Sequence, residues 1–190
     1  MRFKKIINVN SIVKSLMLNY VNEGDIVADC TVGNGNDTVA LAELVGDSGK
    51  VYGFDIQETA IKLTASLLYQ KELESRVVLV NDGHEEIDKY IDCKLDFVIY
   101  NLGYLPKGDK TIKTRKETTI ESIRKALKLL NNNGLILITV YVGHKGGLDE
   151  KVAIENLFAS LNQKEYNVLK YDFINQINYP PILYGVERIV

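Results

Sequence analysis

The apolar residues of the chain fall into two alternating patterns. Short apolar runs, each ended by a polar or glycine-rich segment, predict strands at about 26–30, 51–54, 77–80, 95–100 and 135–141. Apolar residues at helical spacing predict helices at about 10–22, 36–45, 58–71, 85–90, 118–130 and 148–161. This alternation is typical of an α/β domain with a parallel sheet.

The end of the chain has a different pattern. Segments at about 167–174 and 182–189 alternate like strands and predict a closing antiparallel hairpin. The whole pattern predicts a Rossmann-like α/β fold: a seven-stranded, mostly parallel sheet with helices on both faces and a C-terminal antiparallel hairpin. No repeat, low-complexity tract or linker interrupts it, so we expect a single domain over residues 1–190.

A glycine-rich turn joins the first strand of the sheet to the following helix. The segment 29–38 reads D-C-T-V-G-N-G-N-D-T, and Gly33 and Gly35 allow a sharp turn and the close approach of a ligand. The free N–H groups of a helix starting at about Asn36 point at that ligand. A dinucleotide turn would carry a third glycine where Thr38 stands, and Asp29 would repel a pyrophosphate. The D-x-T-x-G-x-G form instead resembles the S-adenosylmethionine (SAM) loop of class I methyltransferases.

Polar residues follow several of the predicted parallel strands, and such positions share one edge of the sheet. Asp55 lies twenty residues after Gly35 (55 − 35), a spacing suited to an acid that binds ribose hydroxyls. Ile56 can pack on adenine, and Asp82 can accept from the adenine amine. The predicted cofactor residues are Asp29, Thr31, Gly33, Asn34, Gly35, Asn36, Asp37, Thr38, Asp55, Ile56, Gln57, Asp82, Gly83, His84 and Asn101.

The segment after the fourth strand carries the candidate chemistry. It reads N-L-G-Y-L-P from Asn101 and resembles the N-P-P-Y signature of methyltransferases that modify amino nitrogens. Asn101 can accept from a target amine, and Tyr104 can stack on a target base. After the fifth strand, His144 can orient the substrate or accept a proton from the amine. We therefore predict Asn101, Tyr104 and His144 as the catalytic residues.

A basic segment follows the Asn101 motif. Residues 107–116 contain five basic residues and one acid, although the whole chain has a net charge of −2. If this segment lies beside the pocket for the target base, its basic side chains can bind RNA phosphates. The alternative is an ordinary solvated loop. The predicted RNA-binding residues are Lys107, Lys110, Lys113, Arg115 and Lys116.

Composition sets further limits on the function. The chain has two cysteines and two histidines without metal-ligand spacing, so we expect no metal. No apolar run approaches a membrane span, and polar residues interrupt the N-terminal apolar segment, so we expect a cytoplasmic protein without membrane contact. The oligomeric state stays open between a monomer and a homodimer.

The motifs together resemble one small bacterial family. They are D-x-T-x-G-x-G-N-D-T, G-F-D-I-Q, D-G-H, N-L-G-Y-L-P, Y-x-G-H-x-G-G and a late P-P-x-L. This family is labelled "putative rRNA methylase" and includes enzymes that methylate the 5-aminomethyl group of 2-thiouridine at the tRNA wobble position. The resemblance implies a class I methyltransferase that uses SAM, releases S-adenosylhomocysteine (SAH) and binds the anticodon region of tRNA. The chain departs from the family at Cys30-Thr31-Val32, where Ala-Thr-Cys is expected, and at Gly83, where serine is expected.

Three alternatives to this function stay open. An rRNA base N-methyltransferase would share the fold, the cofactor and the acceptor chemistry. An NAD-dependent oxidoreductase would share the early part of the fold, although the missing third glycine argues against it. A non-catalytic RNA-binding domain would not need Asp29, Gly33, Gly35, Asp55 and Asn101 together.

Overall fold

The computed structural model describes residues 8–103, 113–143 and 146–189. Its helices are α1 (Val9–Tyr20), α2 (Asn36–Val45), α3 (Glu58–Gln70), α4 (Ile87–Tyr90), α5 (Lys116–Leu129) and α6 (Gly147–Ala159), with 3₁₀ turns at Glu74–Arg76 and His84–Glu86. Its strands are β1 (Ile26–Asp29), β2 (Lys50–Phe54), β3 (Val77–Val80), β4 (Leu95–Leu102), β5 (Leu130–Val140), β6 (Tyr166–Tyr171) and β7 (Ile182–Arg188).

The strands form one twisted sheet in the order β3-β2-β1-β4-β5-β7-β6. The first five strands pair in parallel, and β7 pairs antiparallel with both β5 and β6. The predicted mostly parallel sheet with a C-terminal antiparallel hairpin is therefore confirmed. Strand β5 begins earlier than predicted, because Leu130 pairs with Leu95 before a bulge and Leu135 pairs with Phe97 after it.

Helices cover both faces of the sheet, as predicted. Side chains along a strand alternate between the two faces of the sheet, so one strand contributes side chains to the hydrophobic core on each face. In β4, Val98 and Tyr100 pack with α4, α5 and α6, whereas Phe97 and Ile99 pack with α1, α2 and α3. All four side chains are fully buried, as in a parallel sheet covered on both faces.

This topology places the candidate site. The chain runs from β1 outward to β2 and β3, then crosses back to β4 on the other side of β1. The strand order reverses between β1 and β4, and ligands of open α/β sheets bind beyond the carboxyl ends of the strands at such a point. Asp29 and Asn101 stand at these two strand ends. Among the described helices, none is long and apolar enough to cross a membrane.

Candidate active site

An open cleft of about 2600 Å³ lies at the carboxyl edge of the sheet and is flanked by α1. Typical small-molecule sites have roughly 300–1,000 Å³, so the cleft has room for a cofactor and part of a larger substrate. Twelve of the predicted cofactor residues line it: Thr31, Gly33, Asn34, Asn36, Asp37, Asp55, Ile56, Gln57, Asp82, Gly83, His84 and Asn101.

The glycine turn needs its glycines for the backbone path. Gly33 and Gly35 have φ of 54° and 77°, a region that residues with a Cβ rarely adopt. Gly35 is the N-cap of α2, and a Cβ there would lie 2.5 Å from Oγ1 of Thr64. The turn can thus expose its backbone to the cleft while α2 packs against α3.

Asp29 supports the turn from within the core. Its side chain is fully buried. Its carboxylate accepts from the Thr31 N–H at 3.0 Å and from the Thr38 hydroxyl at 2.6 Å. Burial, reinforced by the nearby charge of Asp37, raises the pKa of Asp29 to about 7. The structure shows Asp29 holding the turn in place, and its direct contact with a cofactor stays a prediction.

Asp29→Asn is expected to change how stability depends on pH. The folded chain keeps a proton on Asp29 up to about pH 7, whereas an unfolded aspartate releases it near pH 3.9. Ionising Asp29 therefore lowers the free energy of unfolding as pH rises from about 4 to about 7, by ~4 kcal/mol for about three pKa units. Asparagine carries no charge, and its Oδ1 can accept from the Thr31 N–H while its Nδ2 donates to the Thr38 hydroxyl.

Urea denaturation of the cofactor-free protein at several pH values between 4 and 8 measures this effect. The stability of Asp29→Asn relative to wild type should rise with pH over that window and level off above it. Asp47→Asn, at an exposed aspartate that pairs with Arg76, is the matched control. A difference between Asp29→Asn and wild type that does not vary with pH contradicts the assignment.

Asp55 is fixed at the end of β2 by two backbone groups. Its Oδ2 accepts from the Gly33 N–H and its Oδ1 from the Gln57 N–H, each at 2.9 Å. Each oxygen keeps a second lone pair for a ligand hydroxyl. Beside it, Ile56 is 58% exposed and lines the cleft, where it offers an apolar face for a ring.

The end of β3 adds further polar groups. Asp82 accepts from the Gly83 N–H and the Tyr90 hydroxyl, both at 2.8 Å, and these bonds hold its pKa below the usual range. His84 is buried at the cleft wall, and burial lowers its pKa to about 4, so the ring is neutral at pH 7. Among the described residues, nothing hydrogen-bonds its Nδ1. Such a buried polar atom is costly unless a ligand satisfies it.

These groups fit SAM. Asp55 suits the ribose diol, Ile56 the adenine face and Asp82 the adenine amine, and the glycine turn leaves room for the rest of the molecule. Among the described residues, no group of His, Cys, Asp and Glu side chains could hold a metal ion.

Asn101 connects the end of β4 to the glycine turn. Its backbone N–H donates to Oγ1 of Thr31 at 2.7 Å, and its side-chain Nδ2 donates to Oδ2 of Asp37 at 2.6 Å. Because the amide group is planar, this second bond directs Oδ1 away from Asp37. Asp37 is half-buried at the cleft, and burial raises its pKa.

Several predicted residues lie outside the described part of the chain. They are Tyr104, Lys107, Lys110 and His144. Of the remaining predicted RNA-binding residues, Lys113 and Arg115 line the cleft, whereas Lys116 is exposed at the start of α5 and pairs with Glu117.

The structure also adds residues that sequence reasoning missed. Asn10 and Lys14 of α1 line the cleft, and the Tyr141 hydroxyl donates to Oδ1 of Asn10 at 3.3 Å. The missed signal is that Asn10 and Lys14 lie four residues apart in α1, which puts both on one face of the helix. Tyr179, whose role the sequence leaves open, is 74% exposed and lines the rim beyond Gly143.

Comparison with known proteins agrees with this geometry. A family model described as "Putative rRNA methylase" matches residues 51–187, well over half of the chain. The chain belongs to this family.

Solved structures extend the likeness over the full length. A crystal structure from Clostridium thermocellum, described as a "putative rRNA-methylase", is 46% identical with a TM-score of 0.94 and covers all of both chains. A methyltransferase from Streptococcus mutans, solved in complex with SAH, is 36% identical with a TM-score of 0.86 over 99% of each chain. This member of the rRNA methylase family is thus a SAM-dependent methyltransferase, with SAM as its cofactor.

One curated relative has a specific name. It is the chloroplastic tRNA (mnm(5)s(2)U34)-methyltransferase of Arabidopsis thaliana, 36% identical over 88% of this chain. The match spans 65% of the Arabidopsis protein, so the chain spans less than two thirds of that relative's length.

Proposed function

We propose that the protein transfers a methyl group from SAM to the amino nitrogen of 5-aminomethyl-2-thiouridine at the wobble position of tRNA. The observation that carries this proposal is the place of Asn101. It stands at the end of β4, lines the same cleft as Asp55 and Ile56, and has its amide fixed by Asp37. This position supports Asn101 as the group that accepts a hydrogen bond from the target amine beside the proposed cofactor site.

The chain's own residues would act mainly by alignment. Bound SAM supplies a methyl group that is already activated on a sulfonium sulfur. The Asn101 carboxamide oxygen would accept an N–H of the target amine and turn the nitrogen lone pair toward the methyl carbon. Holding reacting atoms in line in this way accounts for a large share of such rate enhancements.

Charged residues at the rim support an RNA substrate. Lys113 and Arg115 line the cleft on the side of Asn101, where phosphates flanking an inserted nucleotide would lie. Lys107, Lys110 and Lys116 belong to the same proposed interface by sequence. The Arabidopsis relative supports tRNA as the nucleic acid, and its name supports the wobble uridine.

A second candidate is an rRNA base N-methyltransferase. The family description favours it, and the Asn101 geometry would serve a ring amino group as well as an aliphatic one.

Labelled methyl transfer from SAM separates the two candidates. The purified protein should label a tRNA that carries 5-aminomethyl-2-thiouridine at position 34, because that substrate presents the amine. The same tRNA with an unmodified uridine is the matched control and should stay unlabelled, as should rRNA. Labelling of rRNA alone would reject the tRNA function in favour of the second candidate.

A further inference from the structure

We propose that Asp37 binds the ammonium form of the acceptor side chain and takes its proton before methyl transfer. This inference rests on the proposed function, since it concerns an aliphatic amine. Asp37 is the second residue of α2 and lines the cleft, and its Oδ2 lies 2.6 Å from Nδ2 of Asn101. The carboxylate therefore stands next to the residue proposed to hold the amine.

The substrate requires such a group. An alkylammonium has a pKa near that of lysine, about 10.4, so at neutral pH it is protonated and has no lone pair to attack a methyl group. The Asn101 amide oxygen can accept a hydrogen bond but cannot take the proton. A base within reach of the same nitrogen would therefore raise the rate at neutral pH, where little of the amine is free.

Three other aspartates at or beneath the cleft are committed elsewhere. Asp55 binds backbone N–H groups beside the proposed ribose site, and Asp82 binds Gly83 and Tyr90 at the end of β3. Asp29 is fully buried beneath the turn. Asp37 is the described carboxylate that bonds directly to Asn101.

The charged and titratable groups facing Asp37 come from three sides. The charge of Lys14, on α1, attracts the Asp37 carboxylate, and the charge of Asp29, at the end of β1, repels it. The third group is the Tyr141 hydroxyl, which follows β5. Burial is the largest influence and raises the pKa of Asp37, against the Asn101 hydrogen bond and Lys14. Burial would also lower the pKa of a bound ammonium, so the two pKa values approach each other in the cleft.

Proton transfer comes first and methyl transfer second. The ammonium R–NH₃⁺ gives one proton to the Asp37 carboxylate and becomes R–NH₂. The nitrogen lone pair then forms the N–C bond to the methyl carbon while the S–C bond breaks and its electron pair stays on sulfur. The product leaves as the secondary ammonium R–NH₂–CH₃⁺, and Asp37 releases its proton to water.

Asp37→Asn tests this role because asparagine keeps an oxygen that can accept from the Asn101 amide but removes the charge. At pH 7 we expect kcat/KM to fall by about 100-fold or more, the range of a lost general base. Without the carboxylate, only the free amine reacts, so the deficit should shrink roughly tenfold per pH unit between pH 7.5 and 9.5. Asp149→Asn, at an exposed first-turn aspartate of α6, is the matched control.

Binding gives a second readout that does not depend on turnover. The SAH complex of the wild type should bind an anticodon stem-loop with 5-aminomethyl-2-thiouridine more tightly than one with 2-thiouridine. The Asp37→Asn complex should lose this preference, while its affinity for SAH stays within about twofold of wild type by calorimetry. A structural role would not remove the preference for the amine.

Each contrary outcome has a distinct meaning. Unchanged kcat/KM, or a deficit that is the same at every pH, overturns the role of Asp37. If Asp37→Asn loses more than about tenfold in SAH affinity, the Asp37 carboxylate serves to bind the cofactor. That outcome also overturns its role as the base. If wild-type protein does not methylate the aminomethyl tRNA, the proposed function and this inference both fail.

Discussion

Asn101→Ala is expected to lower the rate of methyl transfer by on the order of 100- to 1,000-fold while leaving SAH affinity within about threefold. The reason is geometric. The Asn101 side chain is held by Asp37 at 2.6 Å, and its oxygen is the group proposed to hold the amine lone pair in line. Alanine removes that acceptor and leaves the residues proposed to contact the ribose and the adenine unchanged.

Single-turnover transfer to aminomethyl tRNA, with SAH calorimetry beside it, measures both quantities. Asn131→Ala is the matched control, because the Asn131 amide also donates to a carboxylate, Asp96, at 2.9 Å near the opposite edge of the sheet. That control should lose little activity. An Asn101→Ala variant with a rate within threefold of wild type would rule out this residue as the amine acceptor.

Asp55→Ala is expected to weaken SAH binding by about 100-fold or more. A carboxylate that accepts from both ribose hydroxyls makes two charge-assisted hydrogen bonds, each worth roughly 1.5–3 kcal/mol. Alanine also leaves the Gly33 and Gln57 N–H groups without their acceptor, which loosens the turn. Both effects act on the proposed cofactor site.

Calorimetric titration with SAH measures this loss, and Asp55→Asn separates its parts. Asparagine keeps one acceptor oxygen, so its affinity should lie between those of alanine and wild type. The control is Asp47→Ala, which removes an exposed aspartate that is absent from the cleft lining. Equal SAH affinities for Asp55→Ala and wild type would mean that the ribose binds elsewhere.

Much of the fold could be predicted because each buried strand is a short apolar run closed by a polar turn. The error at β5 has a local cause. Residues 131–134 read N-N-N-G, which predicts a turn, yet the strand already begins at Leu130 and continues across the bulge. Residues 131–134 form the irregular stretch between the Leu130–Leu95 and Leu135–Phe97 pairs, and Asn133 has a φ of 62° there.

The sequence was enough to predict which strand ends form the site. It was not enough to predict which side chains contact each other there. Sequence places Asp29 and Asp55 at the ligand edge, yet Asp29 turns inward because Thr31 and Thr38 supply its donors. The bond between Asp37 and Asn101 joins residues 64 positions apart. No local sequence pattern predicts a contact between residues so far apart. This contact is the basis for the proposal that Asp37 takes the proton of the amine.

Locating the transferred methyl group tests the central claim most directly. A tRNA carrying 5-aminomethyl-2-thiouridine is incubated with SAM and the protein, digested to nucleosides and analysed by fragmentation mass spectrometry. The account predicts one added methyl group on the side-chain nitrogen of the position-34 nucleoside. A methyl group on a ring atom or a ribose hydroxyl, or an unchanged position-34 nucleoside beside methylated rRNA, would contradict it.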